Sequence, residues 1–217
     1  MKKIILVVLL CGTAIQTSFA QTEKGSQNIG VSFGVYTNNS TASGTDYNTG
    51  IVTDYKSKNT SYSIAPSYSY FVADKLDIGI TAGYSYYNSN YDTYYASAIK
   101  QTDQKYTGGI FLRKYILFKD KIGIRTGPIF EYSKNTQKAN QTLLSGEQTH
   151  FERNYETYSG GVRLDVVYFP IKKIGLAASV GNIYYSHQKA YGNDHGTSDS
   201  FQASFVNGLY FSFYYVL

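Results

Sequence analysis

Five charged residues stand where strand alternation turns them away from their apolar neighbours: Asp77, Arg113, Arg125, Arg163 and Asp165. Leu76 and Ile78 flank the first, and Leu164 and Val166 flank the last, all on the opposite face. Three guanidiniums and two carboxylates gathered in a narrow lumen support one of two chemistries. They line a path for ions or small solutes, or they pair and fill the space. An unpaired charge in a confined, poorly solvated site is expensive, so the packed network is the expected arrangement. Glu131 lies further along, nearer the opposite mouth.

The remaining reactive side chains carry weaker patterns. A lipid-hydrolysing dyad needs Ser and His on one face, whereas Ser186 and His187 are adjacent and point to opposite faces of a strand. His187, Asp194, His195 and Asp199 are the best metal candidates, but their spacing matches no ligand motif, and a solvated segment is expected, as for His150. The glycines are scattered and form no phosphate-binding loop. No catalytic, cofactor or metal site is expected.

Eight period-two runs must position these groups. They cover about 27–37, 59–71, 76–86, 106–116, 122–132, 158–168, 174–184 and 205–217. Their outward faces are apolar and aromatic, as with Ile78, Ile80, Ile110, Phe130 and Tyr184, while Gly, Ser and Thr dominate the inward faces. The last run carries Leu209, Phe211, Phe213, Tyr215 and Leu217 on one face, a stripe that would aggregate on a soluble protein. Long polar segments at 38–58, 88–103, 134–153 and 186–199 read as loops. They alternate with short turns at 72–75, 119–121 and 170–173. Pro66 and Pro128 interrupt ladder bonding and imply either a bulge or a local register change.

Composition agrees with an envelope protein. Lys2 and Lys3, the apolar run 4–10 and Ser18-Phe19-Ala20 form a signal peptide over 1–20, leaving 21–217 as one domain. Residues 21–26 read as a mobile lead-in. From residue 21 onward 18 basic face 15 acidic residues, a net charge of +3 that is too dispersed for a nucleic-acid surface. The only Cys, Cys11, leaves with the leader. Outside the leader no apolar run approaches the roughly 20 residues of a membrane helix, yet the chain holds 24 Tyr and no Trp. Tyrosine suits the interfacial girdles of a membrane barrel.

Signal peptide, strand rhythm and closing aromatic strand together resemble the small eight-stranded outer-membrane β-barrels of the OmpX and OmpA-membrane-domain type. The expected fold is all-β, a transmembrane antiparallel up-and-down barrel, with a soluble lipocalin-like barrel as the alternative. The resemblance implies residence in the cell outer membrane, contact with its lipid and lipopolysaccharide, and insertion by the barrel assembly machinery through the terminal strand. It also implies a monomer with long extracellular loops facing an unknown ligand. The leading function is surface interaction or envelope structure without catalysis. A small porin-like pore and a lipid-modifying enzyme are the alternatives. Tyr47, Tyr55, Tyr91, Tyr94, Tyr95 and Tyr191 serve either as loop recognition surface or as girdle.

Overall fold

Alternation of apolar and small residues from Gln27 onward produces one closed antiparallel sheet in the computed structural model. The structure describes residues 22–45, 52–93, 96–143, 145–191, 195–205 and 211–216. Its strands are β1 (Gln27–Thr45), β2 (Val52–Ala73), β3 (Leu76–Thr93), β4 (Ala96–Phe118), β5 (Ile122–Leu143), β6 (Gln148–Ile171) and β7 (Ile174–Tyr191). β8 (Gly196–Phe205) and β9 (Phe211–Val216) complete it. Each strand from β1 to β7 pairs with the next. β8 and β9 both pair with β7, and β9 pairs with β1. The last two therefore share one position, and the ladder returns to its start around a cylinder of eight positions.

Side-chain parity separates two environments. Ile80, Ile110 and Phe213 are more than half exposed on the outside, whereas Phe71, Phe111 and Tyr115 are buried inside. A belt of exposed aliphatic and aromatic residues of this extent is unstable in water and matches a hydrocarbon surround. At the short-turn end the lumen is filled by Phe71, Tyr115, Val167, Phe169, Ala177, Tyr214 and Val216. Glycine makes room for the rings. A Cβ at Gly175 would lie 2.7 Å from the Phe169 ring, and one at Gly30 would meet Tyr214.

Five sequence expectations are corrected. Apart from the turn at 145–147, the four long polar segments are, where described, strand continuations rather than loops. β1 and β2 stay in register to Thr45 and Val52, and β5 and β6 to Thr142 and Gln148. Above the apolar belt both sheet faces meet water, so the apolar period disappears although strand pairing continues. Cross-strand polar pairs hold this region, including Lys134–Glu156 and Lys138–Glu152, each at 3.3 Å. The eighth position accordingly begins at Gly196 rather than Phe205.

The lead-in is ordered. Thr22 and Ser26 are buried. Gly25 N–H donates to Phe71 O at 2.9 Å, and Lys75 N–H donates to Thr22 O at 2.7 Å, so the segment caps the base of β2. The prolines need neither bulge nor register change. Ile64↔Tyr84 and Ser67↔Thr81 keep one register across Pro66, as Phe111↔Ile129 and Lys114↔Thr126 do across Pro128. Only the ladder bonds at those positions are lost. Finally, a bulge in β7 shifts its register from Asp165↔Ser179 to Leu164↔Gly181. That extra residue inverts parity, so Ile183 and Tyr185 are exposed outside while Tyr184 turns toward Arg163 and Glu131.

The leader at 1–20, Tyr47, Tyr94, Tyr95, Asp194, Leu209 and Leu217 lie outside the described residues, as do the side chains of Tyr55 and Phe211.

Candidate functional site

The inward charges form a layer across the lumen just above the aromatic floor. Two of its pairs are written directly into strand register. Asp77 faces Arg113 across β3 and β4, and Arg125 faces Asp165 across β5 and β6. Directly opposed side chains on one sheet face have Cβ atoms about 4.5–5.5 Å apart, so each pair meets without further folding constraint.

Asp77 is fully buried and accepts from four donors. Arg113 Nε lies 3.0 Å from Oδ1, and Arg113 Nη2, Ser69 Oγ at 2.8 Å and Tyr115 Oη at 3.2 Å converge on Oδ2. Arg113 Nη2 also donates to Ser69 Oγ at 3.2 Å, and its guanidinium sits 3.9 Å from the Phe111 ring centroid. The fork geometry of arginine thus meets a carboxylate on one edge and an aromatic face on its plane.

The second pair is as deeply buried. Arg125 Nε donates to Asp165 Oδ2 at 2.7 Å, and its Nη2 donates to the Tyr214 hydroxyl. The Tyr214 ring also lies beneath the guanidinium, at 4.5 Å. Arg163, one-third exposed, approaches the other oxygen of Asp165 at 3.5 Å. One carboxylate therefore serves two arginines. Glu131, half-buried above the layer, makes no ion pair among the described residues. At this level of the lumen three arginines meet the three acids Asp77, Glu131 and Asp165.

Against the layer lies a chamber of about 190 Å³, lined by Arg113, Arg125, Arg163, Asp165 and Glu131 and by the hydroxyls of Ser32, Ser63, Ser67, Thr81, Ser179 and Ser212, with Phe33, Ala65, Phe111, Ala177 and Tyr214 completing it. Below it, the Phe71 and Tyr115 rings are 5.4 Å apart and those of Tyr115 and Phe169 are 6.4 Å apart.

All five expected lumen charges thus occur in one layer. The aromatic clamps Phe111, Tyr115 and Tyr214, with Ser69, were not singled out from sequence. Their signal was present, because each has inward parity and stands at or beside an arginine's level. Of the expected terminal-strand face, Phe213 and Tyr215 are exposed outside, opposite buried Ser212, Tyr214 and Val216.

The histidines sit elsewhere. His187 Nδ1 is 2.9 Å from Asp199 Oδ1, and the Tyr185 hydroxyl donates to the same oxygen at 2.7 Å. These two contacts hold the Asp199 carboxyl below the usual carboxylate range. Ser186 pairs with Ser200 at 2.7 Å and does not join them. His150 Nδ1 faces Asn140, and His195 is exposed. Among the described residues no three His, Cys, Asp or Glu gather as metal ligands.

The fold and its side-chain parity define a class: a closed antiparallel β-barrel with an apolar exterior, the class that the sequence resembles. Particular solved structures to which the chain is similar include Ail, the attachment invasion locus protein of Yersinia pestis. It is 9% identical over 89% of this chain and 99% of that one, with a TM-score of 0.41. The outer membrane protein OprG of Pseudomonas aeruginosa is 13% identical over 92% and 99%, with a TM-score of 0.40. Neisserial surface protein A is 13% identical over 88% and 99%, with a TM-score of 0.33. No family model matches the chain, and no curated protein matches it in sequence. At such identities no role crosses over, and the fold class rests on the strand ladder itself.

Proposed function

We propose that this chain is an integral outer-membrane β-barrel with a plugged lumen, acting through its extended hairpins in surface interaction and without catalysis. The observation that carries this reading is the pair of buried Arg–Asp bridges seated on an aromatic floor. Together they occupy the lumen where a conduction path would run, and an eight-position barrel leaves little other space. Lipid and lipopolysaccharide cover the apolar belt, the assembly machinery takes up the terminal strand, and the monomer is the working unit.

The recognition surface lies on the strand extensions. Among the described residues, β1 above Phe33 pairs only with β2, and β8 pairs only with β7. Among the described residues two sheet edges therefore stand open at the long-hairpin end. An extended segment of an external partner can add to such an edge by main-chain hydrogen bonds.

Two measurements test the reading. The folded protein is expected to require detergent and to show heat-modifiable gel migration with β-type circular dichroism. Solubility without detergent would favour the lipocalin-like alternative. In a planar bilayer the purified barrel is expected to conduct rarely or not at all. A steady, large single-channel conductance would replace the plug with the porin-like reading.

A further inference from the structure

At the short-turn end the chain carries a concentration of positive charge that neither the plug nor the hairpin edges explain. Lys24 on the lead-in, Lys75 in the β2–β3 turn, Lys119 and Lys121 in the β4–β5 turn, and Lys172 and Lys173 in the β6–β7 turn meet three acids, Glu23, Asp74 and Asp120. This end therefore carries an excess of positive charge in a chain whose net charge from residue 21 onward is only +3. Lys114 reaches the same rim from β4, with Nζ 3.4 Å from Asp74 O.

These lysines are held in place by the backbone. Tyr115 N–H donates to Lys75 O at 2.8 Å, Phe169 N–H to Lys121 O at 2.7 Å, and Val216 N–H to Lys173 O at 2.9 Å. Each basic turn is thereby tied to the neighbouring hairpin. Two lysines also occupy backbone conformations that their type disfavours. Lys75 has φ 60° and Lys119 φ 50°, both in the left-handed region where Gly or Asn is the less strained choice. The β4–β5 turn, with Asp120 at φ 52° and Lys121 N–H donating to Phe118 O, has the geometry that Asn-Gly fits best. Lysine at such positions has no conformational reason, so charge is the property it supplies.

The turns surround a basin of about 580 Å³ at the short-turn end. Lys75, Lys119, Lys121 and Lys172 stand on its walls beside the acids Glu23, Asp74 and Asp120, and Phe169, Pro170 and Ile171 contribute apolar surface. The acids are engaged within the rim. Asp120 pairs with Lys75 at 3.0 Å, and Asp74 accepts from Lys24 N–H at 2.9 Å. Lys121, Lys172 and Lys173 have no ion-pair partner among the described residues. Because the aromatic floor closes the lumen above, the basin is a dead end and not the mouth of a path.

We infer that this basin is a docking site for an acidic peptide segment that presents an apolar side chain between its carboxylates. The apolar surface beside the lysines gives a peptide side chain a seat that a headgroup does not need. Lysine supplies orientation-tolerant charge for carboxylates, and the salt dependence of such contacts is steep.

The test uses the full chain in neutral phosphatidylcholine nanodiscs and a fluorescein-labelled peptide, Glu-Glu-Leu-Glu-Glu, read by anisotropy at low and high salt. Expected is saturable binding that weakens with salt, disappears when Gln replaces Glu in the peptide, and weakens about tenfold or more in Lys121→Glu/Lys172→Glu. Unchanged heat-modifiable migration of that variant confirms that it folds. Lys56→Glu/Lys58→Glu, the same charge change at the far end, should leave affinity unaltered. Equal loss in both variants would overturn the site, as would no binding up to millimolar peptide. Binding to phosphatidylglycerol in place of peptide would assign the rim to headgroups and likewise overturn it.

Discussion

Asp165→Ala is expected to destabilise the folded barrel by about 3–5 kcal/mol, the range found when one member of a buried ion pair is removed. Its carboxylate divides its two oxygens between Arg125 and Arg163. The two arginines differ in what remains to them. Arg163 is one-third exposed and can turn further into the chamber it lines. Arg125 is only 2% exposed and keeps a single hydrogen-bond acceptor, the Tyr214 hydroxyl. Most of the cost therefore falls on Arg125, whose charge is left without a counter-ion beside the aromatic floor. Denaturant unfolding should show a lower midpoint with an unchanged slope, because the surface exposed on unfolding stays the same. Asp165→Asn keeps an acceptor in place but not the charge, so its loss should be smaller than that of the alanine variant. If Asp165→Ala altered ion selectivity and left the midpoint untouched, the charges would line a path and the plug would be wrong.

The same register argument explains why this layer is legible in the sequence. A period of two assigns every residue in a strand to one face, and Asp77, Arg113, Arg125, Arg163 and Asp165 all fell on the sparse inward face. Their mutual contact needed one more fact, the strand offset, which the short turns nearly determine. What the alternation could not show lay where its physical cause ends. In the strand extensions, Lys134, Thr136 and Lys138 share a face with no apolar residue because water lies on both sides, so strand continuation looked like loop. Tyr184 failed for a different reason. The bulge beside Ser179 adds one residue to β7 and reverses every assignment after it, and nothing in Ser-Val-Gly announces an insertion. The lead-in was misread because Thr22 and Ser26 are bound through backbone atoms, which composition does not reveal.

The Asp77–Arg113 pair tests whether the proposed plug depends on space-filling or on charge. Asp77→Ala alone removes the acceptor of four hydrogen bonds and leaves Arg113 with Ser69 and the Phe111 face. Its expected cost is again about 3–5 kcal/mol. The double variant Asp77→Leu/Arg113→Met removes both charges together and replaces them with flexible apolar side chains of comparable reach. Exchanging a whole buried pair for packed apolar groups is often neutral or better, so the double variant should recover most of what the single variant loses. It should also stay closed in a bilayer, because Phe111, Tyr115 and Phe169 still fill the section. The measurement is a pair of unfolding midpoints read alongside conductance. A folded double variant that conducts steadily would mean that the seal depends on the charges rather than on the volume they fill. A double variant as unstable as the single one would place the stabilisation in the shared network with Ser69 and Tyr115, whose hydroxyls lose their acceptor in both cases.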